Sequence, residues 1–384
     1  MATLCLKPRR SPYSTNGSQQ TFFLHPGYPD GHNILFVFPT VDSGGIHHET
    51  ARIACAILAN SRWDGFLTTT RDGEAINQGR DEILVNQRYY FRIQDDEQYP
   101  IIPSFNNFLC PTTLPDSWAA SSPLIEPTTM DDVRNRDQTC RITASLVPNG
   151  IAHIIPQAQS EWWQSNSMIA YTANPELSTD TRCAENAILL RRDLHKLWDD
   201  HRFAIVPKAG KWVIHVLWKS PSEELEKKYH NLELQPLSGV ARHFLFCRFA
   251  LAILSKSIFL NQNVTRKLVT LDSEATPHVR SMSANEYRRL FSPARRANSR
   301  SQSPQKRQRS AQDNDEAMDE EGPVSGSDSG EEEQRGRRRR RSWLYVDTFS
   351  SHDAPEWHPG RDKYADRKRQ KLHTPPKSNS LGIY

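Results

Sequence analysis

The chain has 384 residues, with 49 Lys+Arg against 45 Asp+Glu, a formal net charge of +4 and a hydrophobic share of only 36%. An apolar share that low excludes a chain folded into cores from end to end. No run reaches the roughly 18 uncharged apolar residues of a membrane span, since the most apolar stretch, 243–260, is interrupted by Arg248 and Lys256.

Cysteines stand at positions 5, 55, 110, 140, 183 and 247, with no CxxC pair. That spacing suits neither a zinc ribbon nor a disulfide framework, so reduced thiols are expected. Residues 1–20 carry Lys7, Arg9 and Arg10 but no following apolar run, so a secretory leader is not expected.

From 33 to 38 the sequence NILFVF predicts a strand. Gly44-Gly45 predicts a turn, and 48–60 a helix whose small residues allow close packing. A turn at Trp63-Asp64-Gly65 precedes a strand at 66–70, and 83–85 with 89–93 reads as a further hairpin. Together these predict a small α+β domain over 20–95. Neighbouring His47 and His48 cannot easily face one ion, and capping or packing suits them better. Residues 96–131 read as an irregular connection rich in Pro, Ser and Thr.

The next segment, 132–262, holds the residues that could do chemistry. A strand is expected at 141–147, a tight turn at Pro148-Asn149-Gly150, and an apolar strand at 151–155 carrying His153. Residues 188–190 read as a strand. Asp193 could cap a helix on which Leu194, Leu197 and Trp198 share one face. His195 and Asp199 stand four apart, one turn along that helix. A hairpin follows at 203–206 and 212–217 around Lys208-Ala209-Gly210. A long helix is expected at 237–260, apolar enough for a core helix, with a partner-binding role as the alternative.

The order is strand, His153, loop, Asn186, short strand, then a helix bearing His195. This resembles the HNH nuclease domain, the ββα-metal fold. Cys140-Arg-Ile-Thr before His153, Leu197-Trp-Asp after His195, and HPGY, GGIHHETARIACAILAN and RWDGFL near the front look like the branch of HNH proteins widespread in fungi. The resemblance implies an α+β fold, an HNH module packed with the N-terminal domain. It implies hydrolysis of nucleic-acid phosphodiesters, with His153 as general base, Asn186 orienting it through the backbone, and His195 with Asp199 as metal ligands. A divalent cation is implied, Mg²⁺ or Mn²⁺ first and Zn²⁺ next. One departure stands out: many HNH enzymes carry a metal ligand directly before the base histidine, and here that residue is Ala152. Asp200 or His201 could lend a ligand instead. Ala152 equally favours a second reading, an inactive HNH scaffold in a nuclear interaction protein. Taken alone, each of His153, Asn186 and His195 would read as an ordinary core, turn or surface residue; their order and spacing raise them above that.

The tail, 293–384, holds 19 basic and 15 acidic residues, so the body is neutral and the tail carries the whole surplus. Basic and acidic residues are segregated, five consecutive arginines stand at 337–341, and 293–342 contains no Leu, Ile, Phe, Tyr or Trp. Such a segment is expected to be disordered. Its basic runs suit an import receptor or phosphate contact, hence a nuclear, otherwise cytoplasmic, location. Nucleic acid, DNA in the first place, is the expected partner, with no membrane; oligomeric state is left open.

Overall fold

The computed structural model describes residues 19–119, 133–172, 175, 180–218, 224–256, 258–261, 264–272 and 274–291. The tail expected to be disordered lies outside them. The described part is mixed α+β.

Strands β1 (Gln20–Leu24) and β2 (Ile34–Pro39) pair antiparallel. Strand β3 (Ile46–His47) runs straight into helix α1 (His48–Leu58), and β4 (Phe66–Thr68), β5 (Ile83–Leu84) and β6 (Arg88–Arg92) follow. The main sheet has the order β2-β1-β6-β4. Residues 83–85 and 89–93 therefore do not form the expected hairpin: β5 pairs with β3, whereas β6 lies between β1 and β4. The physical reason is alternation. Tyr89 and Phe91 are buried and can cover the sheet, while Val85 is 68% exposed and ends the short strand. Helix α1 is buried all round. Its His47 caps it by accepting the Thr50 N–H, the role favoured over metal binding, and its Glu49–Arg52 pair is sealed inside.

Two short helices, α2 (Asp116–Ala119) and α3 (Val133–Asp137), lead to β7 (Asn149–His153). Helix α4 (Ser160–Ser165) lies in the long loop before β8 (Ala187–Arg191), which passes directly into α5 (Arg192–Asp199). The expected strand at 141–147 is absent. Residues 140–145 close on themselves, Cys140 N–H to the Ser145 carbonyl and Ala144 N–H to the Cys140 carbonyl, and Leu146 and Val147 point outward. Pro148-Asn149-Gly150 is likewise no strand-joining turn, because Asn149 and Gly150 already belong to β7 and the partner strand is β8.

Strands β9 (Phe203–Lys208) and β10 (Lys211–Val216) form the expected hairpin, with Ala209 and Gly210 at φ +46° and +75°. Both turn residues sit in the left-handed region that a tight right-twisted hairpin requires. Helix α6 (Glu224–Tyr229) precedes α7 (Arg242–Leu254), which is shorter than the expected 237–260 because Gly239 at φ +67° and an extended Ala241 hold the chain out of helix until Arg242. From Phe244 to Leu254 every residue of α7 is buried, the core role expected of it. The pair β11 (Arg266–Leu271) and β12 (Pro277–Met282) and helix α8 (Ala284–Phe291) complete the body. One hydrophobic cluster runs from Phe23 to Tyr287 and includes Ala152, Ile188, Trp198 and Phe249.

Candidate active site

β7 and β8 lie antiparallel with His153 opposite Ala187 and Asn149 opposite Arg191. Because α5 follows β8 at once, it folds back over the pair. A Cβ at Gly150 would lie 3.3 Å from His195 Nδ1, so a glycine is what lets the His195 ring rest this close to the strand. Asp193 is not the cap of α5: Arg191 is the N-cap residue, and Asp193 holds its guanidinium through two bonds of 2.7 Å.

Asn186 is fully buried. Its Oδ1 accepts from the Ile155 N–H at 2.8 Å, and its Nδ2 donates to the carbonyls of Ile155 (2.9 Å) and Thr181 (2.8 Å). Its own carbonyl accepts from Ile154 N–H at 2.8 Å. This one side chain therefore clasps the backbone just past His153 to both sides of the loop. The His153 carbonyl is held from the other direction by Trp198 Nε1 at 2.9 Å.

The His153 ring is half-buried; its Nε2 is itself shielded from solvent and, among the described residues, has no hydrogen-bond partner. Its pKa lies below the usual imidazole value, first through burial and then through His195, with Asp199 pulling the other way. Arg182 and Asp180 act on it from the loop in front of Asn186. At neutral pH the ring is uncharged and has a lone pair to offer. His195 Nε2 stands 3.6 Å from Asp199 Oδ2, too far for a hydrogen bond but a spacing at which two donors can share a cation. An imidazole nitrogen and a carboxylate oxygen are a donor set for Mg²⁺, Mn²⁺ or Zn²⁺. Asp200 is engaged by Lys196. Burial beside Arg248 and Lys256 keeps the His201 ring uncharged, lowering it to about 3.

The residue missed by sequence reasoning is Arg248. It is buried, donates to the Ile154 and Trp198 carbonyls, and lies over the Trp198 ring at 4.4 Å. Burial lowers it to about 9, and Asp199 partly restores it. One guanidinium thus ties the end of β7 to the end of α5. The signal was present as the one cation in the otherwise apolar run from Phe244 to Leu254.

A second group, Asp42, His215 and His230, also brings three potential ligands within 4.8 Å of one another. Its hydrogen bonds oppose a metal. His230 Nδ1 accepts from the Val216 N–H, so its proton is on Nε2, and that proton goes to Asp42 Oδ1 at 2.7 Å. The same oxygen receives Lys208 Nζ at 3.0 Å and Asn231 Nδ2 at 2.7 Å. The lysine already supplies the cation. This cluster shares no residue with the His153–His195 site.

Residues 140–206 match the family model described as HNH endonuclease. The match takes in β7, Asn186, β8, α5 and the start of β9, and covers less than half of the chain. No curated protein and no solved structure matches the chain.

Proposed function

We propose that the chain is a metal-dependent endonuclease whose HNH module hydrolyses phosphodiester bonds of nucleic acid. The observation that carries this reading is the unpartnered, uncharged His153 Nε2 beside His195 and Asp199. His153 takes the proton of the attacking water at Nε2 as the new phosphorus–oxygen bond forms. Asn186 keeps the ring there by fixing the backbone on either side of the loop. His195 and Asp199 would hold the divalent ion. When bound, the ion supplies neutralisation of charge developing on the phosphate and on the leaving 3′ oxygen. The segment 132–262 does the chemistry and 20–95 buttresses it. DNA is the preferred substrate. The tail supplies basic phosphate contact that the neutral body lacks, and its arginine run addresses the protein to the nucleus.

Purified protein incubated with plasmid DNA or RNA and Mg²⁺, Mn²⁺ or Zn²⁺ tests this directly. Cleavage that needs metal and is lost in His153→Ala supports it. Equal residual cleavage in both proteins means contamination and rejects it. The alternative is a binding module on an inactive HNH scaffold, which Ala152 favours because a methyl group cannot ligate an ion. Nucleic-acid binding without turnover, unchanged in His153→Ala, would select that alternative.

A further inference from the structure

Outside residues 140–206, two cysteines 137 positions apart meet at the surface of α7. Cys247 Sγ lies 3.3 Å from Cys110 Sγ. That is inside ordinary sulfur–sulfur contact, and closing to the bond length of a disulfide needs only about 1.3 Å of approach. Among the described residues no other two cysteine sulfurs are in contact. Cys247 is fully buried, whereas Cys110 is half-buried and lies in the irregular segment after Phe108. That segment is held in place from both sides. The Cys110 N–H donates to Asn166 Oδ1 at 2.8 Å, and the Phe108 carbonyl accepts from Trp162 Nε1 at 2.7 Å. The sulfurs thus stay together through fixed backbone on one side and a core helix on the other.

We propose that Cys110 and Cys247 form an oxidisable dithiol, a modification site for hydrogen peroxide that closes into a disulfide. Cys247 is sealed in the core and burial pushes its thiol well above its usual range, whereas Cys110 is the less buried of the two residues, so Cys110 reacts first. It attacks one peroxide oxygen, the O–O bond breaks, and hydroxide leaves with the proton of the thiol as water. The resulting sulfenic acid is attacked at sulfur by Cys247, the S–O bond breaks, and the second thiol proton leaves in a second water. Two thiols lose two electrons and one peroxide gains them. The bond would join the 105–112 segment to α7 at the residue before Arg248, the cation that ties β7 to α5.

The test uses the intact wild-type chain in native buffer. It is treated with stoichiometric hydrogen peroxide, alkylated in denaturant and cut with trypsin without reductant. Fragment 93–134 carries Cys110 and fragment 243–248 carries Cys247. The expected product is these two joined, two hydrogens lighter than their sum, and separated again by dithiothreitol. Cys110→Ser should return Cys247 alkylated. Recovery of Cys110 as sulfinic acid beside an alkylated Cys247 overturns the proposal. So does Cys110 joined to any other cysteine, or both sulfurs alkylated after peroxide treatment.

Discussion

At the level of single residues, position 152 changes meaning once its surroundings are known. Ala152 is fully buried, while its neighbour His153 projects from the other face of β7. Its small size is therefore a packing requirement as much as a missing ligand. Ala152→Asp should not gain metal affinity by calorimetry. It should lower stability by about 3 kcal/mol in a denaturant melt, because it places a carboxylate among Ile154-type neighbours. Tighter metal binding without loss of stability would show that position 152 faces the cleft. His153 has its own signature. A base must be uncharged to act, and both burial and His195 hold this ring below the ~6.5 of a free imidazole. The acid limb of kcat/KM should then lie below pH ~6.5, with a tenfold fall per unit beneath it. A limb above 7 in the profile of the wild type would assign the base elsewhere.

At the level of elements, the site depends on how two segments are fastened. β7 and α5 meet through Trp198 on the His153 carbonyl and through Arg248 on Ile154 and Trp198. A buried guanidinium among carbonyls is costly to desolvate, so removing it while leaving its acceptors unpaired is costlier still. Arg248→Met should cost about 3 kcal/mol in stability and, well below its melting temperature, still lower kcat more than it changes KM. A protein that is merely less stable, with kcat restored on cooling, would reduce Arg248 to a packing residue. The ββα order was legible because the order of His153, Asn186 and His195 resembles the HNH pattern, and the hairpin at Ala209-Gly210 because its turn chemistry is local. Which strand faces which was not. Residues 141–147 have strand composition, yet Cys140 and Ala144 bond within 140–145, Arg141 bonds across to Leu189 and Gln235, and β7 finds its partner across a long loop. Arg248 was missed for the same reason: its acceptors lie 50 and 94 positions away.

At the level of the whole molecule, the body keeps several imidazoles uncharged inside it. His25 accepts the Gly27 N–H on Nδ1 and donates from Nε2 to the Tyr99 carbonyl, so a second proton would face an N–H. Burial lowers His25 to about 3, as it does His201, and places His215 far below its usual value. In the unfolded chain each returns to ~6.5. Below that pH the unfolded state binds more protons than the folded one, so stability rises with pH and is lost on acidification. The contribution is complete above pH ~6.5 and declines as pH falls toward the folded values. The window from pH 6.5 to 5 is informative, because carboxylates such as Asp42, held below their usual range, do not yet titrate in the folded protein. Each histidine there contributes a loss of up to about 2 kcal/mol. Denaturant melts at pH 7 and pH 5 should therefore differ by several kcal/mol, with the folded signal unchanged in the absence of denaturant. Equal midpoints at the two pH values would mean that these rings take up protons without unfolding, and that the core around His25 and His215 is wetter than its packing implies.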